Sequence, residues 1–321
     1  MPASLVAPGL WRRTPPAIFP PVLGLFGLGL AWRRGTEAFG LAAAPGELIL
    51  GAVTLLYLFC LAAWMAKPMR RPAVIVEELR VLPGRAGMAA MSLSMMCLAA
   101  VLVPYSPGLA TAVTGLALAL HLGIVVLTVR LALTGPEEAR TVTPVWHLTF
   151  VGFIVAPLAG IPLGHETVAR AILLLTIPVA AGIWAVSLWQ LATRRPPAPL
   201  RPLLAIHLAP ASLFAMVAGL LGLTAPGLGF LALAAAILLA LLLSGRWIVE
   251  AGFSPLWGAF NFPFAAFTSA LFVLSGGAGP LRLAGAVALA VATVAIPVIA
   301  VRVLRSWAQG GLAARTNAAQ A

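Results

Sequence analysis

The stretch FNFPFAAFTS, residues 260–269, sets an amide, a proline and two hydroxyls inside an apolar run. Hydrocarbon offers such groups no partner, and a proline inside a helix removes one backbone hydrogen bond. The surrounding sequence repeats the oddity. Pro255 opens this run and Pro263 follows eight residues later; Pro202 and Pro210 keep the same offset in RPLLAIHLAPAS, residues 201–212. Pro144 with Gly152 and Pro16 with Gly24 keep it too, whereas Pro83 is followed at that offset by Met91. A helix-starting proline with a breaker two turns inside is an internal repeat.

The repeat sits in a chain of 321 residues that is 62% hydrophobic and 9% charged. Soluble domains carry about 25% charged residues. Apolar runs recur throughout, each long enough to cross about 30 Å of hydrocarbon. Proline, glycine and charge divide them into ten spans, at roughly 17–34, 45–66, 86–104, 108–133, 144–163, 166–192, 200–222, 227–247, 255–275 and 280–304. Short links such as PYSPG, LGHE, TAPG and SGGAG join the members of each pair, so the chain reads as five consecutive helical hairpins. The expected organisation is an N-terminal segment 1–16, a transmembrane domain 17–307 and a flexible tail 308–321. No cleavable leader is expected, because Arg12 and Arg13 follow the first short apolar stretch.

The net charge of +12 does not point to nucleic acid, since the basic residues flank apolar runs. Sixteen of the twenty lie on one side of the ten-span arrangement; Arg33, Arg34, Arg170 and Arg282 lie on the other. The positive-inside rule then places both termini in the cytoplasm. Cys60 and Cys97 fall within apolar runs and read as small buried hydrophobes.

The repeated breakers belong to odd-numbered spans, whereas even spans read as smooth Leu, Ala and Val runs. Interrupted helix at membrane depth is tolerated where protein or a water-filled cavity surrounds it. The expected fold is therefore an all-α polytopic membrane protein whose five kinked odd helices form an inner ring around a central pore. The chain has no aspartate, and its eight glutamates fall in links or near helix ends. Ion-coupled carriers place carboxylates at membrane depth and cation pathways use acidic rings. A neutral pathway with a basic mouth favours anions. Candidate lining residues are Thr149, Gly152, His207, Pro210, Ser212, Asn261 and Thr268, with Ser92, Ser94 and Ser269 beside them. Each hydroxyl has a plain alternative, a bond to its own helix backbone.

The stretch GRWIVEAGFSPLWGAFNFPFAAFTSA, residues 245–270, resembles the family that contains the bacterial tellurite-resistance channel, the plant slow-type anion channels and the fungal malate and sulfite transporters. That family's ninth helix reads Trp-x-Ala-aromatic-x-Phe-Pro, matched by Trp257, Ala259, Phe260, Phe262 and Pro263. Phe19, Leu23, Gly24, Leu25 and Ala31-Trp32 match its first helix, and Ala209-Pro210 its seventh. The resemblance implies five inner helices around a pore, a homotrimer in the bacterial inner membrane, and a phenylalanine plug, which the motif puts at Phe262 beside the Pro263 bend. It implies Phe19 and Gly24 as further lining residues, small anions as the solute, no cofactor and no catalysis. Thr149 stands where the family often has a proline, so Gly152 or Pro157 supplies that bend.

Three alternatives remain at this stage. One is an exporter of sulfite, malate, another C4-dicarboxylate or tellurite. Another is a haem carrier using His147 and His207, and the last is a permease subunit driven by an ATPase.

Overall fold

The computed structural model describes residues 11–135 and 140–321. Glu137, Glu138 and most of the expected N-terminal segment lie outside these residues. The described residues form helices and no strand, and contain nine helices long and apolar enough to cross a membrane. Their principal elements are α1 (Phe19–Phe39), α2 (Ala44–Arg70), α3 (Val74–Arg80), α4 (Leu82–Leu102), α5 (Pro107–Thr134), α6 (Pro157–Gly160) and α7 (Glu166–Thr193). There follow α8 (Leu208–Leu220), α9 (Thr224–Leu243), α10 (Gly245–Ile248), α11 (Asn261–Leu274), α12 (Gly279–Ala308) and α13 (Gly311–Arg315).

Local signals set the ends of these helices. Ser106 caps α5 by accepting the Leu109 N–H, with Pro107 as the first helical residue. Gly40 ends α1 in the left-handed region (φ 63°), and the Leu41 N–H returns to the Thr36 carbonyl. That closure is the glycine-dependent C-cap, which a side chain at this φ would strain.

Burial separates two sets of helices. The apolar windows of the first, third, seventh and ninth spans are 67–94% buried, and those of the five even spans 17–33%. The inner members close a ring: α1 packs on α11, α11 on α8, α8 on residues 152–155, that segment on α4, and α4 on α1. Outside them α2 lies on α1, α5 on α4, α9 on α8, and α12 on both α1 and α11. The outward faces carry exposed Leu174, Leu175, Leu242, Leu243 and Val287, a surface suited to lipid.

Helix type changes where the repeat places its breakers in three spans. In the fifth, a π turn (His147–Val151) gives way to a 3-10 turn (Gly152–Val155) and then to α6. In the seventh and ninth, 3-10 segments Ala198–His207 and Pro255–Phe260 become α8 and α11. Pro210 and Pro263 are each the third residue of the new helix, within the first turn, where a missing N–H costs least. The first span departs from expectation. Its junction lies at Ile18 and Phe19, and α1 runs unbroken through Gly24. The even spans are also less smooth than their composition suggests, since α7 contains Pro178 and α12 contains Pro297 without a change of helix type.

The segment expected as a flexible tail makes contacts with the body of the molecule. After α13, the Ala319 N–H donates to Glu78 Oε1 (3.2 Å), Arg71 donates to the Gln320 carbonyl (3.1 Å), and the Ala321 N–H reaches the Arg12 carbonyl (3.1 Å). Beneath it Lys67 and Glu78 form a fully buried ion pair, and Lys67 also donates to the Thr14 carbonyl (3.0 Å). Burial pushes the Glu78 carboxyl above its ordinary range, against the pull of Lys67 and of the Ala319 N–H.

Candidate functional site

The ninth span decides the geometry of the ring's centre. Gly252 (φ 74°) and extended Ser254 turn the chain, a 3-10 segment follows, and α11 starts at Asn261. The junction turns Phe262 inward, where it is 5% exposed. Its ring lies against Gly27 of α1, where a Cβ would stand 3.1 Å from Phe262 Cδ2. A side chain at residue 27 would occupy the space the ring uses.

Phe262 borders three cavities. One, of about 200 Å³, is also lined by Gly27, Leu30, Arg33, Arg34, Leu158, Met216 and Ser269. A second, of about 40 Å³, lies toward the opposite end and includes Leu23, Ala90, Ile206, Pro263 and Thr316. A third, of about 20 Å³, lies between the fifth and seventh spans and includes His147, Gly152 and Pro210. Phe262 is the one residue common to all three linings. Among the described residues, no carboxylate lines any of them.

Two arginines stand at the mouth of the cavity of about 200 Å³, each paired with a glutamate. Arg33 makes a two-pronged ion pair with Glu47 (2.7 and 2.8 Å) and donates to the Ala100 carbonyl (3.1 Å). Arg34 pairs with the more exposed Glu37 (3.1 Å). The sequence offered a signal here, the double arginine closing the first span.

Of the expected site residues, Phe262, Pro263, Gly152 and Pro210 border the axial cavities. Ser269 borders the cavity of about 200 Å³, and the others lie elsewhere. Phe19 is fully buried with its ring edge-on to Tyr57 and Trp64 of α2, in the contact between inner and outer helices. Gly24 is a point of close approach: a Cβ there would stand 2.2 Å from Asn261 Cβ. Asn261 is buried in that contact and its amide has no hydrogen-bond partner. Ser212 donates to the Leu208 carbonyl (2.8 Å), Thr268 to that of Phe264 (2.9 Å) and Ser94 to that of Ala90 (2.7 Å). Those hydroxyls satisfy their own helices, as the plain alternative had it. Thr149 is buried in the π turn with its hydroxyl unpaired. Thr316, from the tail, lines the second cavity and had no signal in its local sequence.

His207 and His147 do meet, with Nδ1 and Nε2 3.0 Å apart. That is a direct hydrogen bond between imidazoles, and it leaves no room for an iron between the two nitrogens.

A family described as voltage-dependent anion channel (SLAC1) matches residues 13–304. No curated protein gives a significant match to the chain.

Proposed function

The chain belongs to the SLAC1 family of voltage-dependent anion channels, and from that premise we propose a channel or uniporter for small monovalent anions or dicarboxylates, closed by Phe262. The observation that carries this reading is the shared wall: one phenyl ring borders the cavities on both sides of it.

A phenyl ring across a narrow path leaves a constriction too apolar and too tight for a hydrated anion. Such constrictions close by dewetting. Opening requires the ring to turn aside, and the change of helix type at Asn261 supplies the nearest articulation. The basic residues of the links at one end raise local anion concentration, while Arg33 and Arg34 at the other mouth are balanced by Glu47 and Glu37. The carboxylate-free cavities support passive flow over proton coupling. The basic links are proposed to face the cytoplasm, with the Arg33 mouth outside.

Reconstitution into liposomes tests this. Under a chloride, nitrate, sulfite or malate gradient, the reversal potential should follow the anion gradient and ignore an imposed proton gradient. Flux that follows the proton gradient would replace the channel with a coupled exporter.

A further inference from the structure

We propose that the chain binds the phosphate headgroup of an anionic phospholipid in a cleft between the end of α7 and the 3-10 segment leading into α8, a site separate from the axial path. The cleft has a volume of about 220 Å³ and lies beside Arg194, Arg195, Ser187, Thr143 and His207.

Polar residues line both its rim and its deeper wall. At the rim, neither the Arg194 nor the Arg195 side chain has a hydrogen-bond or ion-pair partner among the described residues, whereas the side chains of Arg71, Arg85, Arg140 and Arg201 are each engaged by a carboxylate or carbonyl. Deeper, Ser187 Oγ, Thr143 Oγ1 and His207 Nε2 are buried without partners. Ser187 is 5% exposed and His207 9%. Leaving a buried polar group unmatched is unfavourable. A phosphate oxygen accepts from all three kinds of donor. When His147 Nε2–H donates to His207 Nδ1, His207 keeps its own proton on Nε2 as a donor. Trp184 of α7 donates to the His207 carbonyl (3.3 Å), which ties the two walls together.

The remainder of the cleft identifies the source of the phosphate. Its other walls include apolar Leu200, Leu203 and Leu204, from which a free ion gains nothing and an acyl chain gains burial. Just before the arginines, Leu188 and Trp189 are exposed on α7, the pattern of a helix at the junction of acyl chains and headgroups. Basic pockets between transmembrane helices suit anionic headgroups.

Thermal unfolding of the purified full-length chain in uncharged detergent, titrated with phosphatidylglycerol, phosphatidylcholine or inorganic phosphate, tests this. Phosphatidylglycerol should raise the midpoint of the natural sequence by preferential binding to the folded state. Its apparent affinity should fall at least about tenfold in R194Q/R195Q, and equally in S187L, which fills the cleft and keeps both charges. The R246Q/R305Q pair, which removes two exposed charges elsewhere, should leave it unchanged. If R194Q/R195Q fails to fold, S187L carries the same test. The proposal is overturned if phosphatidylglycerol stabilises S187L and R194Q/R195Q undiminished, or if phosphatidylcholine acts equally well. Stabilisation by inorganic phosphate with the same dependence on these variants would assign the cleft to a free anion and overturn the lipid.

Discussion

Replacing Phe262 by alanine removes the wall shared by the cavities of about 200 and about 40 Å³, so the two would join. The folding cost should sit near the low end of the about 3–5 kcal/mol typical of Phe→Ala, because the ring already borders open space. The effect on permeation is larger. An anion entering an apolar constriction loses hydration worth several kcal/mol. Relieving about 3 kcal/mol of that barrier raises flux about 100-fold, since about 1.4 kcal/mol corresponds to tenfold. Anion currents in planar bilayers, normalised to reconstituted protein, are the assay. Folded F262A whose current stays within about twofold of the natural sequence would remove the ring from the closing mechanism.

Other consequences follow from packing and charge. Gly24→Ala places a methyl 2.2 Å from Asn261 Cβ, so α1 and α11 must separate; a loss of about 1–3 kcal/mol is expected in thermal unfolding. Gly51→Ala, where a Cβ meets nothing within 4 Å, should be neutral or stabilising by up to about 1 kcal/mol. Lys67→Met strands a buried carboxylate and should cost about 3–5 kcal/mol, while adding Glu78→Gln should recover much of it. Arg71 holds the Glu77 carboxyl below its ordinary range, so that contribution is present at neutral pH and lost as pH falls through the folded-state value. Unfolding measured against pH should therefore show the natural sequence more stable than E77Q at neutral pH, with the gap closing in acid.

The division into inner and outer helices was legible because it rests on composition over whole spans. Prolines gather in the odd spans, and the first, third, seventh and ninth spans are largely buried. The inward face of each inner helix was not legible. A helix such as α4, whose apolar window is 94% buried, has no polar face to contrast with an apolar one, so its periodicity carries little direction. That is why Phe19, Gly24, Ser212 and Thr268 read alike in sequence, yet sit in helix contacts or bond to their own backbone. Phe262 was legible because the adjacent proline fixes where the helix type changes, and the family motif pairs the two. The docking of the tail had no local signal at all. It depends on Arg71 and Glu78, more than two hundred residues away in sequence.

The most direct test of an axial path closed at Phe262 is two-sided cysteine labelling. Ser269 borders the larger cavity and Ala259 the smaller, while the native Cys60 and Cys97 are buried. With a membrane-impermeant anionic thiol reagent, S269C should react from one side of the membrane only and A259C from the other only. Each should become reactive from both sides once Phe262→Ala is added. Labelling of either cysteine from both sides with Phe262 in place, or no change on its removal, would contradict the account.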